Sequence, residues 1–338
     1  MIRRQDKTEP NTEVTLMPAS LRVLLNDIVD YAGLFPPARL EIDEAIRNYA
    51  RYRCAKEAWM LGRFVCPASR LKELVPYVDE LFSTERTLRL SLLGRGGETS
   101  EQFLKGMKSD LDDISEFCAR TDARRAVEAF EVRLPDDASD EGGVCQLLDS
   151  VAKMSDAHQT DRLPIFYEPP CETEWRSAWP AIMRGIAQHG GGARSNSALA
   201  GFKLRCGGAD ATAYPSIEQL ASAIAWAQAA RVPMKFTAGL HHPLRHYNED
   251  AHTDMHGFIN VFTAGTLATS DGVNQEQIRA ILASQDVESF EFTEDAIAWK
   301  GIRISCDTLA KARRSAVTSF GSCSFDEPLE DLRRLGLL

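Results

Sequence analysis

Short apolar runs alternate along the chain with longer stretches whose apolar residues recur every three or four positions. The short runs read as strands: Asn26 to Phe35, Trp59 to Cys66, Leu88 to Gly94, Val127 to Leu134, Leu163 to Glu168, Gly201 to Cys206 and Val232 to Gly239. The periodic stretches between them read as amphipathic helices: Ile42 to Arg53, Arg70 to Phe82, Glu101 to Ala119, Val144 to Met154, Glu174 to Gln188 and Ser216 to Ala229. Parallel strands need a long crossover between them, so this alternation predicts a parallel sheet. Seven repeats point to an α/β fold of the (β/α)8 TIM-like barrel type rather than an open sheet. The eighth strand has two candidates, Ser289 to Phe292 and Ser319 to Phe325.

The alternation stops near residue 288. Two alternating runs flank Glu294 and Asp295 and predict a β-hairpin. The last segment, DEPLEDLRRLGLL, predicts a short helix starting near Pro328. The expected layout is therefore a disordered segment over 1–18 and a single barrel domain over 19–338. Within that domain, 288–338 forms a C-terminal extension. Gly190 to Gly192, with Ala193 to Ser197, predicts a loop.

Composition narrows the class. A chain of 338 residues accommodates one barrel of roughly 250 residues with decorations. The net charge of −10 argues against nonspecific nucleic-acid binding, which needs a basic footprint. Eight cysteines are scattered without a CxxC pair, as expected of reduced thiols in the cytoplasm. The polar N-terminus lacks the apolar segment of a secretory signal, and no apolar run reaches membrane-spanning length. The expectation is a cytoplasmic protein with no membrane or nucleic-acid partner and a small anionic substrate; a homo-oligomer remains open.

Catalytic groups of such barrels come from the C-terminal ends of strands and the loops that follow. Side chains alternate along a strand. In GFKLRCGG, Phe202 and Leu204 face the helices, which turns Lys203 and Arg205 inward. In VPMKFTAGLHHP the same reasoning turns Lys235 and Thr237 inward, and in FEVRLP it does so for Glu131 and Arg133. Glu168 ends its strand beside Pro169 and Pro170. Charges inside a barrel are costly unless paired. The set is either a reactive site or a structural ion-pair network.

Three further features compete with structural readings. His241, His242, His246, His252 and His256 cluster after the seventh strand; they form a polar lid loop or supply a general acid–base, His241. In DYAGLFPPA, Tyr31 or Asp30 reaches substrate, or the string is only a rigid turn. Gly207 and Gly208, like SFGSCSF near the C-terminus, offer backbone N–H groups to a phosphate or carboxylate. Cys206 and Cys323 are nucleophiles or packing residues.

Two successive lysine-bearing strands, each followed by a glycine-containing turn, resemble the class I aldolases of the deoxyribose-phosphate aldolase type. Lys203 falls on the sixth predicted strand and Lys235 on the seventh, the order in that family. The resemblance covers Gly201 to His242, and Arg205 and Cys206 stand where the family's turn carries Ser and Thr. The chain as a whole resembles a bacterial family carrying AGLFPPA, TAGLHHP and FGSCSFDEP, which implies no particular activity.

The leading expectation is a lyase of aldolase type without a cofactor. Lys203 or Lys235 would form an imine, its pKa lowered by a neighbouring cation. Glu131, Glu168 and His241 would move protons. Arg133, Arg205, Thr237, Gly207, Gly208 and Tyr31 would hold the substrate. One alternative is a barrel isomerase or lyase with a divalent metal ion on His241, His242 or His256 together with Glu168. The other is a non-catalytic ligand-binding barrel.

Overall fold

The structure is a computed structural model. It describes residues 17–121, 126–138, 140–160, 162–170, 174–190, 200–208, 210–270 and 273–338. The expected disordered segment therefore lies outside the described residues up to 16, as does the glycine-rich loop from 191 onward.

The first seven strands are β1 (Val29–Tyr31), β2 (Leu61–Pro67), β3 (Leu90–Leu93), β4 (Val127–Arg133), β5 (Ile165–Glu168), β6 (Ala200–Arg205) and β7 (Met234–Thr237). An antiparallel ribbon follows, β8 (His246–Asn248) with β9 (Thr253–Met255). Then come the antiparallel strands β10 (Phe290–Phe292), β11 (Ala296–Trp299) and β12 (Ile302–Ser305). β13 (Val317–Ser322) inserts between β1 and β7, closing an eight-stranded parallel barrel in the order β1-β13-β7-β6-β5-β4-β3-β2. The fold is a (β/α)8 TIM-like barrel.

The helices are α1 (Ala19–Leu25), α2 (Ile42–Tyr52), α3 (Leu71–Leu81), α4 (Ser100–Thr121), α5 (Glu141–Ala157), α6 (Trp175–Gly190), α7 (Ile217–Ala230), α8 (Phe258–Leu267), α9 (Gln275–Ala283), α10 (Cys306–Ser315) and α11 (Asp326–Arg334). Their ends follow local chemistry. Reciprocal capping boxes start α7 (Ser216 with Gln219) and α9 (Asn274 with Gln277). Arg231 ends α7 in the left-handed conformation.

Phe64, Phe130, Val132, Tyr167, Phe202, Leu204, Phe236 and Phe320 leave the strands outward and form the buried layer under the helices. α8 was not predicted because it is buried on every side, so its sequence has no polar face to reveal a helical period.

The structure resolves one open choice, corrects one expectation and extends another. Of the two candidates for the eighth strand, the barrel takes the one near Ser319, while Phe290–Phe292 joins the antiparallel sheet. The segment 288–338 is consequently not a mere extension, because it contains the closing strand. The expected hairpin has a third strand, since Lys300 and Gly301 adopt positive φ (45° and 86°) and make a second tight turn.

The β1–β13 seam is pinned at the end opposite the mouth. Arg313 of α10 is buried and donates to the carbonyl oxygens of Leu24, Asn26, Val317 and Thr318. Burial pushes its pKa down to about 9.

Candidate active site

Alternation brings Lys203, Lys235 and Glu131 into the barrel as predicted; all three are buried. Lys203 and Lys235 are register partners on β6 and β7. Their ammonium groups do not simply face each other. Glu131 bridges them, with Oε2 2.9 Å from Lys203 Nζ and Oε1 3.4 Å from Lys235 Nζ. Ser91 of β3 donates to Glu131 Oε1 at 2.5 Å.

Lys203 has a second carboxylate, Glu168 Oε2, at 3.1 Å. Glu168 closes β5, and its Oε1 lies 3.8 Å from Arg205 at the rim, whose side chain is half-exposed. Lys235 lies deeper. Its partners besides Glu131 are Asp30 Oδ2 and the Ser319 hydroxyl at 2.9 Å.

Asp30 completes a ladder of alternating charge: Asp30, Lys235, Glu131, Lys203, Glu168, Arg205. It also accepts from Ser319 Oγ at 2.7 Å and from the Arg63 backbone N–H at 2.7 Å. That N–H is turned toward Asp30 where the β1–β2 register shifts. Gly62 makes the approach sterically feasible, since a Cβ there would stand 2.3 Å from Asp30 Oδ1.

The electrostatics follow from burial and pairing. Burial opposes the charge on Asp30, but Lys235 and Arg63 outweigh it and hold its pKa down at about 2. The same competition leaves Glu131 lowered, with Lys203 and Lys235 as the opposing cations. Burial also opposes the ammonium of Lys203, yet Glu131 and Glu168 raise its pKa above the ordinary lysine value. The expectation that a neighbouring cation lowers a lysine pKa is thus reversed for Lys203, because carboxylates stand between the cations.

The remaining predicted residues separate into groups. Arg133 and Arg205 are exposed at the ends of β4 and β6, which flank β5, and Thr237 is partly exposed at the end of β7. Gly207 passes close to the β7 loop, where a Cβ would come within 2.6 Å of Gly239 Cα; Gly208 lies against Ala213. Tyr31 is turned away from the barrel interior. It is buried against Tyr52 and Phe64, leaving the inward position of β1 to Asp30.

The histidines do not converge with Glu168. His241 Nδ1 bonds to Glu327 Oε2 at 3.0 Å, and His242 Nδ1 to Asp331. His256 is buried with Nε2 2.7 Å from the Pro215 carbonyl. Among the described residues, no group of three or more His, Cys, Asp or Glu is arranged to hold a metal ion. Burial pushes the Cys206 thiol pKa far up, which suits packing rather than nucleophilic work.

Sequence reasoning overlooked Ser91, Ser319 and Arg63 and left Asp30 undecided. β1 is only three residues long, too short to display alternation. The serines carry no signal until the register places them against a charge. The sequence matches no protein-family model and no curated protein.

Proposed function

We propose that the protein is a lyase of aldolase type that forms an imine between Lys203 and a small anionic carbonyl compound. The observation that carries this reading is the placement of Lys203 between Glu131 and Glu168, with Arg205 beyond Glu168 at the rim. Of the two barrel lysines, Lys203 is the one linked to the mouth. Lys235 is enclosed by Asp30, Ser319 and Glu131 and serves to keep those carboxylates ionised.

An ammonium is not a nucleophile, so the resting state must lose a proton. Glu168 stands within reach to take it as the carbonyl compound enters. The free amine then attacks the carbonyl carbon, the π pair moves onto oxygen, and that oxygen takes a proton from the now cationic nitrogen to give the neutral carbinolamine. Glu168 returns its proton to the carbinolamine hydroxyl. Water departs, leaving an iminium that can accept the electron pair of an adjacent breaking C–C bond. Arg205 and Arg133 supply guanidinium groups for a carboxylate or phosphate at the rim.

Borohydride reduction in the presence of oxo-acids and aldehydes tests the reading. A reduced adduct on Lys203, lost in Lys203→Met, is expected. Turnover of a carbonyl substrate without any trapped lysine would refute the imine.

A further inference from the structure

The inner wall of the barrel mouth is charged on one side and apolar on the other. Phe64 and Cys66 of β2 enter the buried layer under the helices, as do Leu90 and Leu92 of β3. Side chains alternate along a strand, so Val65, Pro67 and Leu93 face the barrel interior together with Ser91. The register agrees. Val65 is the partner of Ser91, Pro67 is that of Leu93, and Leu93 is in turn that of Glu131. Ser91 and Glu131 are bonded to each other inside the barrel, which fixes the inward sense of the whole set.

Val65 is buried yet stands apart from the layer under the helices. Pro67 and Leu93 close their strands at the mouth and are partly exposed. Apolar surface left against water at the open end of a barrel gains free energy when a hydrocarbon group covers it. The position of this surface matters. β2 stands four places from β6 around the eight-stranded barrel, so the apolar wall lies across the mouth from Arg205. It also borders the reacting lysine, because Leu93 neighbours Glu131, whose Oε2 is 2.9 Å from Lys203 Nζ.

We infer that Val65, Pro67 and Leu93 form a subsite for a hydrocarbon substituent, so that the substrate is an oxo acid carrying an alkyl or aryl group. The inference rests on the reading of Lys203 as the imine-forming residue. One molecule then spans the mouth, with its carboxylate at Arg205, its carbonyl carbon at Lys203 and its hydrocarbon group against β2 and β3. A phosphorylated sugar suits this wall poorly. Its hydroxyl groups would give up water against Val65 and Leu93 and find no donor or acceptor there. The wall thus sets specificity through a part of the substrate that does not react.

Ligand-observed NMR titration of the full-length protein with acetate, butanoate and hexanoate tests the subsite without requiring an imine. Kd should fall by about threefold to fourfold for each added methylene. Leu93→Ser should flatten that dependence, whereas Leu93→Met, which keeps the apolar volume, should preserve it. Kd values that do not change with chain length overturn the inference, as does a dependence that is unaltered in Leu93→Ser. Failure of all three carboxylates to bind overturns it as well. The wild-type series stands on its own if the serine variant does not fold. Borohydride trapping on Lys203 at half-saturating pyruvate and 2-oxohexanoate separates this inference from the imine. A chain-length dependence without any trapped lysine removes the imine and supports the subsite. Trapping of Lys203 with no dependence of affinity on chain length supports the imine and removes the subsite.

Discussion

Lys235 and Asp30 meet inside the barrel although 205 residues separate them in the chain. Both are completely buried, and their pairing is the inner end of the charge ladder. Removing one member of a buried pair leaves the other uncompensated, which typically costs about 3–5 kcal/mol. Asp30→Asn should therefore lower unfolding free energy by about that amount, measured by urea titration. The double variant Asp30→Asn with Lys235→Met should recover part of the loss. If the two substitutions are simply additive, the coupling is absent.

The ladder also predicts acid sensitivity. Asp30 titrates near 2 in the folded chain, below its unfolded value of about 3.9. Its contribution is complete above the unfolded value and is lost as pH falls through 2; its size is about 2 kcal/mol. His256 acts earlier. Burial, aided by Arg245 and opposed by the Pro215 carbonyl, holds its pKa at about 4. The stability associated with its neutral form is whole above pH 6.5 and declines as pH falls toward 4. Denaturant midpoints between pH 7 and 4 should fall in the wild type before Asp30 begins to titrate. A flat profile over that interval contradicts the placement of His256.

His241 has the opposite sign. Its folded pKa is raised to about 9, so its contribution is fully present below about 6.5 and is lost as pH rises through 9. The alkaline limb of the same stability profile should flatten in His241→Gln, while the acid limb keeps its shape. An unchanged alkaline limb would show that the ring is not held as imidazolium.

Arg205 reads the anion-binding part of the proposed lyase function. Its side chain stands at the rim beside Glu168, at the exposed end of the ladder. Loss of one charge-assisted hydrogen bond, worth about 1.5–3 kcal/mol, corresponds to an increase in KM of about tenfold to a hundredfold in Arg205→Ala. Arg205→Lys should recover only part of it, because an ammonium cannot make the planar two-pronged contact. An unchanged KM would remove Arg205 from substrate binding.

The barrel seam offers a structural test. Arg313 is buried and supplies donors to four backbone carbonyl groups joining the α1–β1 segment to β13. In Arg313→Met those acceptors lose their protein donor, and each unsatisfied buried group costs about 1–3 kcal/mol. Thermal unfolding should shift downward by more than for Arg205→Ala, with hydrogen exchange accelerating first along β1 and β13.

The sequence by itself determined the alternation of strands and helices, because parallel strands covered by helices must be apolar on their outer face. It also determined that Lys203, Lys235 and Glu131 point inward, since Phe202, Leu204, Met234, Phe236, Phe130 and Val132 can face only the helices. Only the tertiary structure decided the rest. Closing the barrel chose Val317–Ser322 over Phe290–Phe292 as the eighth strand, a matter of which edge lay open beside β1 and β7. Register then set Ser319 and Asp30 against Lys235 and placed Glu131 between the two lysines. This reversed the expected effect on the Lys203 pKa, because the sign depends on which charge is nearest and local sequence does not encode that distance. The same closure set His241 against Glu327 and His242 against Asp331. Those contacts join chain segments more than eighty residues apart, and only the order of strands around the barrel brings such segments together.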